Sequence, residues 1–145
     1  MSRLAITCSG ATVDVEKPHP SMISARDIAQ HLAKQCMYYG APHSFYSVAQ
    51  HSCVVAAELA RTEGPLSAIY GLLHHADQAF AVLGELSRAN LDRAVHEAFD
   101  LDWPAPIAVT KAMNAVHRQV EFAELRHLLA GRQARIRELE AEGVL

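Results

Sequence analysis

An all-α fold is predicted for this 145-residue chain by three observations. Apolar residues recur at helical spacing through most of its length, and Gly and Pro fall between those stretches. Alternating, strand-like patterning is confined to about the first fifteen residues. Half of the residues are hydrophobic, enough for one globular domain with a sizeable core.

Residues 1–22 carry Gly10, Pro18 and Pro20 around the β-branched patch Thr12-Val-Asp-Val15 and read as an irregular arm with a short extended stretch. A first helix begins near Ser24, where Ser24-Ala-Arg-Asp27 resembles a capping box with Asp in place of Glu. Ile28, Leu32 and Cys36 share its apolar stripe, and Gly40 with Pro42 closes it. A second helix spans Ser47 to Thr62, with Val48, His51, Val55 and Leu59 on one stripe. Gly64 ends it, and Pro65 suits the first turn of a third helix. That third helix, through Leu66, Ile69, Leu72, Leu73, Ala76 and Phe80, is apolar nearly all round and is expected at the centre of the core.

Beyond Gly84, a fourth helix covers Ser87 to Phe99, with Leu91, Val95 and Phe99 inward. The segment Asp100-Leu-Asp-Trp-Pro-Ala-Pro106 is a proline-punctuated connection. A long fifth helix follows from Ile107 to Leu129, interrupted by Gly131, and residues 132–145 form a charged, solvated tail. Neither repeats nor a second domain are visible, so residues 1–145 are read as one unit.

Net charge of −3 gives no reason to expect a nucleic acid or an anionic membrane as partner. No apolar run reaches the roughly 18 residues that a membrane span needs. The first ten residues are too short and polar for a signal segment. Cys8, Cys36 and Cys53 are odd in number and lack CxxC spacing, which argues against a disulfide framework and fits buried structural thiols in a cytoplasmic protein.

The chemistry-bearing candidates are histidines. His74 and His75 are adjacent within Gly71-Leu-Leu-His-His-Ala-Asp-Gln-Ala-Phe80, and His51 ends Phe45-Tyr-Ser-Val-Ala-Gln-His51 on the preceding helix. Neutral imidazoles from separate helices can converge on one transition-metal ion. Neighbouring helical residues point about 100° apart, so His74 and His75 reach one ion only if it lies between their directions. His31, His96, His117 and His127 fall at polar helical positions and read as exposed, and His19 sits between two prolines. Glu121, Glu124 and Arg126 read as solvated charge, and Trp103 as a packing plug. His117-Arg-Gln-Val-Glu121 is not the HExxH zinc-protease pattern.

Three segments in order, Asp27-Ile-Ala-Gln-His-Leu-Ala33, Phe45-Tyr-Ser-Val-Ala-Gln-His-Ser52 and Leu72-Leu-His-His-Ala-Asp-Gln-Ala-Phe80, resemble the HD superfamily of metal-dependent phosphohydrolases. The similar branch is that of the five-prime nucleotidase-like and phage-associated HD proteins, and the likeness covers residues 7 to 125. It implies an HD-type helical bundle with a divalent transition ion (zinc, manganese, cobalt, nickel or iron) held between helices. A small nucleotide phosphomonoester would be the substrate, and a homodimer the assembly. By position, His51 resembles the first ligand and His74 the histidine of the His-Asp dyad.

The departures from that pattern cluster at the chemistry. His75 stands in place of the dyad aspartate, and Gln78 in place of a proton-handling glutamate. The distal aspartate aligns with Met113 or Asn114, and Asn114 is the better donor. The phosphate-contacting arginine aligns near Ser44, beside His43. Asp77 and Glu85 remain as general-base candidates, and Arg88 as the nearest cation for phosphate. The expected ligand set is therefore His51, His74, His75 and Asn114, neutral throughout and better matched to zinc, nickel, cobalt or copper than to magnesium. The alternative expectation is a catalytically degenerate HD-fold protein, with or without metal, acting as a ligand- or partner-binding regulatory module.

Overall fold

The computed structural model describes residues 3–80, 85–129 and 133–144, with the backbone alone at 85, 86 and 133–135. Among these are one two-stranded sheet and six α-helices. Strands β1 (Leu4–Ile6) and β2 (Thr12–Asp14) pair antiparallel, with Ala5 opposite Val13. The helices are α1 (Ala25–Ala33), α2 (Val48–Thr62), α3 (Pro65–Leu73), α4 (Glu85–Ala98), α5 (Ile107–Leu128) and α6 (Gln133–Ala141). The fold is all-α with a short N-terminal arm. Gly84 and Gly131, the expected helix breaks, lie outside the described residues.

The arm is fastened to the bundle. Val13 and Val15 point inward and are fully buried with Ile28, Leu32, Leu91 and Val95. Asp27 does not cap α1, and the Ser24 side chain makes no capping bond. Its buried carboxylate instead accepts hydrogen bonds from the Cys8 thiol (3.1 Å), the Ser9 backbone (3.1 Å) and the Ser9 hydroxyl (2.9 Å). Those donors hold its pKa below the ordinary value, although burial alone would raise it. The long-range bonds outcompeted the local cap that the sequence pattern resembles.

Helix α1 ends earlier than its spacing predicts. Tyr38, Tyr39 and Gly40 have φ of 54°, 54° and 80°, a left-handed run that no right-handed helix can continue. Cys36, already extended before that run (φ −70°, ψ 131°), leaves the stripe of Ile28 and Leu32 and bridges to Ser47. All three thiols are exposed, contrary to the expectation of buried cysteines.

Helices α2 and α3 form an antiparallel hairpin. Ser47 and Gln50 make both bonds of a capping box at the start of α2, each 3.0 Å. Gly64, with φ of 98°, turns the chain, and Pro65 opens α3. The two helices approach closely at Gly71, where a Cβ would come within 2.5 Å of the fully buried Leu59 side chain. Val55 and Leu59 pack with Val116 and Val120 of α5 in a second apolar cluster. Helix α3 is less central than its composition implies: Leu66, Ile69 and Leu72 are about half exposed. The tail is also less solvated than expected, because Ile136 of α6 is buried.

Candidate metal centre

Helix α3 stops at Leu73 rather than running on to Phe80, and this break shapes the site. The His74 ring donates from Nδ1 to the carbonyl of Gly71 at 2.5 Å. A histidine in the last turn thus takes the carbonyl that the His75 N–H would claim if the helix continued. His75 leaves helical geometry (φ −112°, ψ 11°), and Ala76–Ala79 form a tight 3₁₀ turn. The break overcomes the angular problem of adjacent histidines, since the two ring centroids lie 3.9 Å apart.

Opposite them, α2 supplies His51, fully buried on the stripe that continues through Val55 and Leu59. A fourth imidazole comes from α5. The His117 ring lies 5.1 Å from that of His51 and 5.2 Å from that of His74. One nitrogen from each of His51, His74, His75 and His117 lies within 4.8 Å of the others, a group that can hold a metal ion. Asn114, the expected fourth donor, is exposed three residues before His117, on the neighbouring turn. Met113 is half-buried and packs against the apolar cluster of α2 and α5.

Proton placement defines the centre. His51 Nδ1 lies 2.9 and 3.0 Å from the two carboxylate oxygens of Glu124. Only the ring can donate there, so Nδ1 carries a proton, and in the neutral ring Nε2 keeps its lone pair. His74 Nδ1 likewise donates to a carbonyl, leaving its Nε2 with a lone pair. These two Nε2 atoms face each other at 3.2 Å. A doubly protonated His74 would satisfy both of its contacts, but burial, the largest effect, pushes its pKa down to about 4. With both rings neutral and each holding its proton on Nδ1, two lone pairs converge. Two imidazole nitrogens each about 2.0–2.1 Å from one tetrahedral ion would stand about 3.3 Å apart, close to the separation found.

His75 has a similar need. Its Nδ1 accepts from the Gln78 amide at 2.9 Å, while its Nε2 is buried without a protein hydrogen-bond partner. A half-turn of that amide exchanges two nearly equal atoms. It would place the proton on Nδ1 and turn a lone pair on Nε2. Burial, reinforced by the neighbouring histidines, pushes His75 down to about 3 and lowers His117.

Glu124 is the support behind the ring. It is 6 % exposed and accepts from His51, from the Tyr46 hydroxyl at 2.6 Å, and from the Tyr38 hydroxyl. Burial raises its pKa, but these three donors outweigh burial and hold it below the ordinary value. Both tyrosines are pushed well up, first by burial and then by donating to a carboxylate. A carboxylate behind a ligating histidine fixes its tautomer and raises its basicity. Glu124 is thus not solvated charge, and His117 is not an exposed histidine. The signal lay in the spacing: Met113, His117, Val120 and Glu124 follow one another at four, three and four residues, a single helical stripe. His96 is buried too, donating to the Asp92 carbonyl at 2.7 Å, and His31 is half-buried, whereas His127 is exposed.

The remaining candidates divide between two places. Asp77 is buried and pairs with Arg88 at 2.8 Å. Burial raises its pKa, with the guanidinium opposing. These two line a cleft of about 290 Å³ with His74, Ala89, Asp92 and Trp103. Trp103 is 37 % exposed and donates to Asp92 at 2.9 Å, which makes it a wall of that cleft rather than an interior plug. His43 and Ser44 are exposed and line a different, smaller cavity with Tyr46. The Glu85 side chain lies outside the described residues.

A second group with metal-ligand residue types, Cys8, Asp27 and His31, is already satisfied. His31 Nδ1 donates to the Ala79 carbonyl at 2.7 Å and Nε2 accepts from the Cys8 backbone at 3.0 Å, so neither ring nitrogen is available. Among the described residues no helix is long and apolar enough to cross a membrane. No family model matches this chain, and no curated protein matches it.

Proposed function

We propose that this protein is a metal-dependent hydrolase of HD type acting on small phosphomonoesters, nucleotides among them, through a nitrogen-rich centre. The observation that carries the reading is the 3.2 Å approach of His51 Nε2 and His74 Nε2, both with their protons committed elsewhere. His51, His74, His75 and His117 would hold the ion, and the donor set favours zinc, cobalt or nickel over magnesium. Such an ion supplies Lewis-acid polarisation of a phosphoryl oxygen and acidification of water.

The chain's own groups do the rest. Arg88, with its side chain about half exposed at the cleft beside His74, offers the positive charge that a phosphoryl group requires. Asp77, raised by burial, takes the proton from the attacking water as the ester P–O bond breaks and returns it to the departing alkoxide. Gln78 orients the His75 ring and cannot itself accept a proton.

One feature favours the second reading, a binding or regulatory module without turnover. Four imidazoles complete a tetrahedral zinc shell, and closed shells are typical of structural rather than catalytic sites. The test is to load purified protein with zinc, cobalt or manganese and assay p-nitrophenyl phosphate and nucleoside monophosphates. Metal-dependent turnover, lost in His74→Ala, is the expected result. Stoichiometric metal with no turnover selects a metal-holding module, and absence of both metal binding and turnover removes the hydrolase and leaves a metal-free module.

A further inference from the structure

Two tyrosines reach the buried carboxylate behind His51 from adjacent stretches of chain. The Tyr46 hydroxyl donates to Glu124 Oε1 at 2.6 Å, and the Tyr38 hydroxyl donates to Oε2. His51 Nδ1 lies between, 2.9 Å from Oε1 and 3.0 Å from Oε2. Each oxygen thus carries one phenol, and the imidazole proton is shared by both. A hydrogen bond is strongest when one acceptor meets the proton in line. A carboxylate free to turn would offer His51 a single oxygen, and the phenols oppose that turn.

The backbone is arranged around these hydroxyls. Met37 N–H donates to the Tyr46 carbonyl at 2.8 Å and Val48 N–H to the Gln35 carbonyl at 2.9 Å, so the two stretches are paired. Tyr38 and Tyr39 both adopt φ of 54°, a left-handed conformation that residues other than glycine seldom take. Such strain persists only where the surroundings hold it, and it gathers at functional positions. The Tyr39 side chain is fully exposed, so of the pair it is Tyr38 that gains an interior contact.

We propose that Tyr38 and Tyr46 are positioning residues for His51, holding Glu124 across both oxygens and so limiting its pull on the ring. A carboxylate behind a ligating imidazole raises its basicity, and the two phenols temper that effect. The consequence for metal binding rests on the proposed centre, whereas the hydrogen-bond arrangement does not.

The test follows the ring N–H resonance of His51 in metal-free protein in mildly alkaline buffer, identified by its loss in His51→Ala. In Tyr46→Phe, and separately in Tyr38→Phe, this proton is expected to move downfield as one oxygen swings into line with it. In the Glu124→Gln background neither Phe substitution should move it further. Zinc affinity should rise severalfold in each single Phe variant, because the ring gains basicity. A purely structural role for the phenols would instead lower affinity and leave the proton unmoved or shifted upfield. That pattern in either folded variant, a shift that persists in Glu124→Gln, or failure of both Phe variants to fold would overturn the inference. Wild-type protein that binds no zinc, yet shows the downfield shifts, would remove the metal centre and leave the clamp standing.

Discussion

His51 and Glu124, seventy-three residues apart, meet through a single ring nitrogen: Nδ1 lies within 3.0 Å of both carboxylate oxygens, and both side chains are buried. This contact sets the tautomer of His51 and aims its other nitrogen at His74. Glu124→Gln should therefore keep the fold and lower metal affinity by about 10–100-fold, as expected for loss of a supporting carboxylate. Glu124→Ala strands three buried donors and should destabilise by about 3 kcal/mol or more. Metal titration and urea unfolding of the two variants check this, and wild-type affinity in Glu124→Gln would count against the assignment.

The metal-free protein should weaken in mild acid. His74 and His75, at about 4 and about 3 when folded, bind protons less readily than their unfolded counterparts near 6.5. The unfolded state thus takes up more protons, and stability falls as pH drops from about 6.5 towards 3. Lowered Glu124 acts in the same direction at the acid end, while raised Asp77 opposes it. Urea midpoints at pH 7.5 and 5.0 should differ by the equivalent of a few kcal/mol. Equal midpoints would contradict neutral, buried imidazoles.

Much of the architecture could be read from the chain because it rests on local rules. The capping box at Ser47 and Gln50, Gly64-Pro65, and the 3.6-residue periodicities each report on near neighbours in sequence. His51 and His74 were visible for the same reason, as polar residues on apolar stripes. What escaped depends on distant partners. Asp27 looked like a cap and serves the arm. Glu124 looked solvated because its three donors come from residues 38, 46 and 51. The end of α3 was misplaced because a histidine side chain, not a glycine or proline, terminates it.

Gly71→Ala tests how tightly the hairpin sets the site. The added methyl would meet Leu59 at 2.5 Å within a filled cluster, and overpacking of this kind costs about 1–3 kcal/mol. Because Gly71 also holds the His74 ring through its carbonyl, metal affinity should fall together with thermal stability. A variant that loses neither would show that the close approach is not needed.

Arg88→Ala should separate binding of the phosphoryl group from binding of metal. Removing the cleft's cation also leaves buried Asp77 without its partner, so KM for a phosphomonoester should rise about tenfold or more, with metal content unchanged. Arg88→Lys, keeping charge but not the fork, should fall between. Steady-state kinetics and elemental analysis on the same samples decide it, and an unchanged KM would place the phosphoryl site elsewhere.

The most direct measurement is X-ray absorption at the metal edge of the zinc-loaded protein. Four nitrogen neighbours at about 2.0–2.1 Å with imidazole outer-shell scattering are expected, falling to three nitrogens in His117→Ala. A shell of oxygen or sulfur donors, or a spectrum unmoved by both His51→Ala and His74→Ala, would contradict a centre built from these four rings.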